Sequence, residues 1–330
     1  MKAVIPVAGS GTRLRPLTHT KPKALLYVGS KPIIAHIVDT LISLGCKEFI
    51  LIISSEGFNI PCYLKKNYSD LTIKTVVQDE RLGLGHAVSL TGELAGDDDL
   101  LIVYGDTIID GDLSEVIHCD ADGMIAVMEV RDPRRFGVVN IADGFITGFE
   151  EKPSKPRSNL AIVGFNYIKK PRVLFECLNE IIGSGHKTRG EFQITDAFQR
   201  MVERGLRLKP LAVDGWFDCG TPRSLLETNR HMLTREKKDI AIPGSIIIPP
   251  VSVPVSADII QSIIGPYVSV GSDTVINHSI ISDSIIGSGS HVSNASIVHS
   301  LIGDAAAIDY HPRRLIIGDN SSLDFEFEES

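Results

Sequence analysis

The stretch MKAVIPVAGSGTRLR, residues 1–15, decides the architecture. Lys2–Val7 is a nearly continuous apolar run, the pattern of a strand buried on both faces, and such strands belong to parallel sheets covered by helices. The run opens into Gly9-Ser10-Gly11-Thr12-Arg13-Leu14-Arg15, with Lys21-Pro22-Lys23 close behind. A P-loop needs Gly-x-x-x-x-Gly-Lys-Ser/Thr, which is absent, and a dinucleotide fingerprint needs a third glycine where Leu14 stands. What remains is a glycine turn carrying four basic side chains: Arg13, Arg15, Lys21 and Lys23. Glycines let backbone amides approach phosphate oxygens, and an arginine grips them with a planar fork. The turn follows a strand, and ligands in such sheets bind beyond the carboxyl ends of the strands. A highly charged anion is the expected ligand.

Working outward, strand and helix patterns alternate. Pro32–Leu44 has helical spacing and stops at Gly45, a candidate C-cap. Glu48–Ser54 and Thr72–Gln78 read as strands, a helix starts within Gly85–Thr91, and Leu100–Tyr104 is a strand ending at Gly105-Asp106. Met124–Val130, Gly137–Ile141 and Phe145–Phe149 read as further strands of mixed direction. Arg172–Ile182 and Ile194–Arg204 are helical, Leu206–Val213 is a late strand, and Pro222–Glu236 a helix leading out. The fold class is α/β: a Rossmann-like, doubly wound mixed sheet.

After Lys238 the long helical patterns stop. Ile264-Gly265, Val270-Gly271, Ile286-Gly287 and Ile302-Gly303 recur at multiples near six, with slips, among Ser, Asp and Asn. Repetition of this kind signals a solenoid, with aliphatic residues inward and small polar residues at corners. It resembles the hexapeptide repeat of left-handed parallel β-helices. The chain divides into residues 1–238, with the sheet, and 239–330, a short β-helix ending in an acidic tail, Asp324–Ser330.

The net charge of −8 argues against general nucleic-acid binding and confines any polyanion site to a local basic patch. No apolar stretch approaches a membrane span, and the N-terminus lacks a signal-peptide pattern. Cys46, Cys62, Cys119, Cys177 and Cys219 form no Cys-x-x-Cys pair, so reduced thiols, no zinc site and a cytoplasmic location are expected.

Ala8-Gly9-Ser10-Gly11-Thr12-Arg13-Leu14-Arg15-Pro16-Leu17-Thr18 with Pro22-Lys23 resembles the signature of the sugar-1-phosphate nucleotidylyltransferases. Gln78 with Gly83-Leu84-Gly85-His86-Ala87, Tyr104-Gly105-Asp106, Glu150-Glu151-Lys152-Pro153, Gly190–Asp196 and Trp216–Gly220 follow in the family's order, so the resemblance covers about residues 1–235. It implies joining of a nucleoside triphosphate to a sugar-1-phosphate with release of pyrophosphate, in a Mg²⁺-dependent enzyme; separately, solenoid edges and apolar faces favour a homo-oligomer. Ala8, Gly9, Gly11, Thr12, Arg13, Lys23 and Gly105 would bind the nucleotide, with Gln78 and Gly83 at its base. Gly137, Asn140, Glu151, Lys152 and Val163 would bind the sugar phosphate. Asp106 and Asp218 would carry the metal and, with Arg13 and Lys23, the chemistry. Attack of one anion on another needs charge cancellation and in-line positioning more than a general base. For this reason His86 is assigned a neutral hydrogen-bonding or packing role. The Gly83–Val88 run is similar to uridylyl enzymes and the N-terminal loop to thymidylyl ones, so dTTP or UTP with glucose-1-phosphate is expected. A guanylyltransferase acting on mannose-1-phosphate stays open, as do a non-catalytic regulatory relative and acetyl transfer by the β-helix, where His278, His291 and His299 are otherwise solvent-facing corner residues.

Overall fold

The computed structural model describes residues 1–236 and 239–310. The acidic tail Asp324–Ser330 and the division at Lys238 lie outside the described residues.

The expected strand–helix alternation is present. In chain order the strands are β1 (Lys2–Pro6), β2 (Tyr27–Val28), β3 (Lys31–Pro32), β4 (Glu48–Ile53), β5 (Thr72–Val77), β6 (Leu100–Val103), β7 (Thr107–Asp110), β8 (Gly123–Glu129), β9 (Gly137–Ala142), β10 (Phe145–Glu151), β11 (Leu160–Ile168), β12 (Leu208–Ala212) and β13 (Gly215–Asp218). The helices are α1 (Ile33–Ser43), α2 (Asn59–Asn67), α3 (Leu84–Ser89), α4 (Gly92–Ala95), α5 (Arg172–Gly183), α6 (Ile194–Glu203) and α7 (Pro222–Glu236). The main sheet runs β10-β9-β11-β6-β1-β4-β5, and β8 pairs with β11 and β12. The strands β6, β1, β4 and β5 are parallel, and β11 runs antiparallel to both β6 and β8, so the sheet is mixed as expected.

Period-two alternation puts Ala3 and Ile5 of β1 in the core on one side of the sheet and Val4 in the core on the other. Helix α1 lays Ile33, Ile34, Ile37, Val38 and Leu41 against the first core. It ends as expected at Gly45: the Gly45 N–H donates to Ile42 O (2.9 Å) and the Cys46 N–H to Leu41 O (3.0 Å), the two bonds of a Schellman cap.

Three elements depart from the sequence pattern. Helix α2 forms despite Pro61, because the proline falls in the first turn, where an N–H has no helical partner. The central strand β11 carries an irregularity between Ile162 and Asn166, where Val163, Gly164 and Phe165 face a single residue of β8. That bulge interrupts the alternation by which a strand is recognised. The short pair β7–β13 joins residues more than a hundred positions apart.

Residues 246–309 form three four-stranded parallel sheets, one for each face of a triangular left-handed coil. Ile246 lies on Ile263 and Ile263 on Ile280, seventeen residues per turn. Val275 lies on His291 and His291 on Ala307, sixteen per turn. Turns shorter than three full hexapeptides account for the slips in the repeat. Ile264, Ile276, Ile281 and Val292 point inward, fully buried. The corner serines are buried too: Ser262 Oγ accepts the Ser279 N–H at 3.0 Å, and Ser279 Oγ accepts the Ala295 N–H at 3.1 Å. Each hydroxyl therefore satisfies a backbone donor of the next turn. His278, His291 and His299 are exposed.

The coil is pinned to α7. Asn229, fully buried, accepts from the Gly29 N–H (2.8 Å) and the Ser269 hydroxyl (2.7 Å) and donates to Tyr267 O (3.3 Å). Arg230 pairs with Asp283, and Lys21, just past the glycine turn, pairs with Asp304.

The Ile-Gly pairs reflect close approach between turns: a Cβ on Gly287 would lie 2.4 Å from the Gly303 carbonyl carbon. Gly287→Ala should therefore cost the coil about 2 kcal/mol or more by overpacking. Thermal denaturation followed by circular dichroism checks this; an unchanged melting profile contradicts the packing account.

Candidate functional site

The turn after β1 presents its backbone. Gly11 sits at φ 59°, and the Thr18 hydroxyl holds its carbonyl at 2.7 Å. Thr12–Leu14 follow as one 3-10 turn, with Thr12 and Arg13 exposed and Leu14 buried. The amides of Ala8, Gly9, Ser10 and Gly11 donate to no acceptor among the described residues. Four successive unpaired donors at a strand end form a nest for anion oxygens.

Lys23 reaches back across this turn. Its ammonium donates to Asp106 Oδ2 at 2.6 Å and lies 3.9 Å from Asp218 Oδ1, with the lysine side chain only 12% exposed. The carboxylates meet because β7 pairs with β13, and the Cys219 N–H donates to Asp106 O at 3.0 Å. Burial, then the charge of Asp106, pushes the Asp218 carboxyl above the usual carboxylate range, against the opposing pull of Lys23, Arg13 and Arg135. One lysine does not balance two carboxylates. Arg13 enters the same cluster: a side chain on Gly220 would meet Asp218 Oδ1 at 2.8 Å and Arg13 Nη2 at 3.0 Å.

Next to the turn lies a cavity of about 300 Å³, lined by Ala8, Gly9, Lys23, Gln78, Gly83, Gly105 and Asp106 among others. Its far end is built from two distant motifs. The Gly85 N–H donates to Phe192 O and the Phe192 N–H to Leu82 O, both at 2.8 Å, and a Cβ on Gly83 would lie 2.6 Å from Phe192 O. The glycines of 83–85 therefore let the 191–193 backbone close against them. Gln78, at the end of β5 and 7% exposed, donates through Nε2 to Gly83 O and contacts His86 Nδ1, each at 3.2 Å.

A second cluster sits at the joined ends of β9 and β10, where Gly137 pairs with Glu151. Glu151 Oε2 accepts from the Thr195 hydroxyl (3.0 Å), and Lys152 Nζ lies 3.4 Å from Glu151 Oε1. Lys152 takes φ 43°, its N–H donates to Phe136 O (3.0 Å) and its carbonyl accepts from Arg189. Half-buried Tyr104 links this cluster to Asp106: desolvation and then the Glu151 charge hold its phenol well above the usual tyrosine value. The Tyr104 ring covers Gly164, next to fully buried Val163, which leaves Val163 only its backbone to offer.

The structure thus brings Ala8, Gly9, Lys23, Gln78, Gly83, Gly105 and Asp106 to one cavity, Asp218 and Arg13 to the Lys23–Asp106 pair that lines it, Gly11 and Thr12 to the turn after β1, and Gly137, Glu151 and Lys152 to a neighbouring cluster. It does not bring Asn140 into that cluster: three residues beyond Gly137, an odd step along a strand, its amide donates to Glu150 Oε1 at 3.2 Å. Two contributors escape the sequence reading. Arg135 acts on Asp218 from the 3-10 turn Pro133–Arg135, which Asp132 caps through the Arg134 N–H; Asp-Pro before Arg-Arg is the signal that marks it. Thr195, inside a quoted motif, supports Glu151.

Among the described residues, no group of three or more His, Cys, Asp or Glu is placed to hold a metal ion, and no helix is long and apolar enough to cross a membrane.

The family model described as nucleotidyl transferase matches residues 2–235. The low-salt glycan biosynthesis nucleotidyltransferase Agl11 of Haloferax volcanii is 34% identical, over 98% of this chain and 99% of the relative. A glucose-1-phosphate thymidylyltransferase of Streptomyces antibioticus is 31% identical, over 99% of this chain and all of the relative (100%). A solved structure assigned as a glucose-1-phosphate thymidylyltransferase of Bacillus anthracis superposes with a TM-score of 0.63 at 29% identity, over 73% of this chain and 98% of that one.

Asp218 has a folded-state pKa raised above its unfolded value, so the cost of ionising it beside Asp106 is fully present above the folded pKa, declines as pH falls below it and is gone below the unfolded value. Asp218→Asn should therefore raise the melting temperature at neutral pH while lowering catalytic turnover by about a hundredfold or more. Differential scanning calorimetry and a pyrophosphate-release assay measure both; a lower melting temperature contradicts the repulsion.

Proposed function

The chain is a member of the nucleotidyl transferase family, and from that premise we propose that it transfers a nucleotidyl group from dTTP or UTP to glucose-1-phosphate, releasing pyrophosphate. The observation that carries the reading is the Lys23 ammonium held between Asp106 and Asp218 beside four unpaired amides.

In this reading the amides of Ala8–Gly11 donate to phosphate oxygens of the triphosphate, and Arg13 and Lys23 offset its charge as pyrophosphate leaves. Gln78 and Gly83 receive the base. Lys152, backed by Glu151 and fixed at its carbonyl by Arg189, holds the phosphate of the sugar-1-phosphate so that its oxygen lies in line with the α-phosphorus. Glu151 takes sugar hydroxyls. Tyr104, half-buried between the two clusters and kept in its neutral form, separates them without adding charge.

Asp106 and Asp218 would hold Mg²⁺. The donor set fits, because Mg²⁺ takes one or two carboxylates and fills its shell with phosphate oxygens and water, and because these carboxylates repel each other with only one lysine between them. Bound there, the ion would offset triphosphate charge and orient the phosphates.

Self-association, a cytoplasmic location and the division into residues 1–238 and 239–330 belong to the same proposal. Ile246, Ile280 and Val298, each more than half exposed, stand in one sheet of the coil and support association through it.

Pyrophosphate release in the presence of Mg²⁺ should require both glucose-1-phosphate and dTTP or UTP; no turnover with any pairing of nucleoside triphosphates and sugar-1-phosphates refutes the proposal. Lys152→Ala should raise the KM for the sugar-1-phosphate about tenfold or more and leave the KM for the nucleotide within about twofold. Steady-state kinetics with each substrate varied in turn separates the two.

A further inference from the structure

At the base end of the cavity, three groups form a hydrogen-bond chain whose polarity is set by its one unambiguous member. The Gly83 carbonyl can only accept, so the group of Gln78 that faces it at 3.2 Å must be the amide nitrogen. The same nitrogen lies 3.2 Å from His86 Nδ1 and brings its second hydrogen there. His86 Nδ1 must then carry a lone pair, which places the ring proton on Nε2. Both hydrogens of the Gln78 amide are used, and Oε1 forms no hydrogen bond among the described residues. Gln78 and Gly83 both line the cavity, which makes Oε1 the polar group that Gln78 has left to offer a ligand.

The scaffold keeps these groups in register. The Gln78 N–H donates to Ile53 O at 2.8 Å, fixing the end of β5, and Gly83 and Gly85 are clamped by the 191–193 backbone. His86 lies in α3, the helix that starts immediately after Gly83, so both acceptors move as one piece.

We propose that His86 is a positioning residue: it locks the Gln78 amide with Oε1 toward the nucleobase, and this lock selects pyrimidines that carry a hydrogen at N3. The inference rests on the reading of Gln78 and Gly83 as the base-binding pair. Uracil and thymine present N3–H, which donates to Oε1. Cytosine presents a bare lone pair at N3, and it faces Oε1 lone pair to lone pair. An amide free to turn over would meet cytosine with Nε2 instead, and discrimination would fall. Gly83 opposes that rotation with one hydrogen bond and His86 adds the second. A site that leaves a buried polar group unpaired rejects the wrong ligand far more strongly than an apolar pocket does.

The test is the ratio of kcat/KM for UTP, or for dTTP if it is turned over faster, to that for CTP, measured on the full chain with glucose-1-phosphate. His86→Leu should lower the ratio about tenfold, through KM and through a gain with CTP, with kcat for the preferred nucleotide nearly unchanged. His86→Asn should restore it, because the asparagine Oδ1 stands where Nδ1 stands. His86→Ala, read beside melting curves, serves if the leucine variant does not fold. Gln78→Ala should abolish the preference altogether. If the His86 variants affect UTP and CTP alike while Gln78→Ala removes the preference, the lock is overturned and the base site stands. If Gln78→Ala leaves the ratio unchanged, the base site itself is wrong and the lock falls with it.

Discussion

The site depends on the repulsion between two carboxylates. Asp106 and Asp218 are brought together by the pairing of β7 with β13, and a single nearly buried ammonium, that of Lys23, stands between them. Two carboxylates held this close cannot both ionise without cost, and the raised pKa of Asp218 records that cost. The fold tolerates it because β1, β4 and β6 bury nearly all of their side chains and anchor the strand ends from which the turn and Asp106 project. Stability is lost where two carboxylates are held together, as is common at sites that bind ions and phosphates.

The two regions that the proposed reaction assigns to phosphates are kept apart and yet coupled. The nest of Ala8–Gly11 lies at the end of β1, whereas Glu151 and Lys152 lie at the end of β10, across the bulged strand β11. Tyr104 spans the gap, with its ring on Gly164 and its phenol within the field of Glu151. In the proposed reaction two anions would thus be held separately until their geometry favours attack, which is what a reaction between like charges requires.

Much of this was legible in the sequence, for identifiable reasons. Buried parallel strands are continuous apolar runs, so β1, β4 and β6 announce themselves, and Gly45 marks the end of α1 to the residue. The coil shows in its Ile-Gly pairs because neighbouring turns leave no room for a Cβ at positions such as Gly287. Strand β11 was hidden by its own bulge, and β7–β13 by their shortness and long-range pairing. At the site, the motifs name residues but not their neighbours. Sequence alone does not place Arg135 beside Asp218, Thr195 beside Glu151 or Asn140 beside Glu150, because each contact joins elements whose separation only the folded sheet removes.

Asn229 has a consequence beyond packing. One buried amide satisfies Gly29 in the sheet-bearing part and Ser269 and Tyr267 in the coil, while Lys21 ties the segment after the glycine turn to Asp304 in the coil's last turn. Neither part can swing away without giving up these hydrogen bonds and the ion pair together. The coil and the segment after the glycine turn therefore share their stability: loss of the Asn229 amide would loosen both at once.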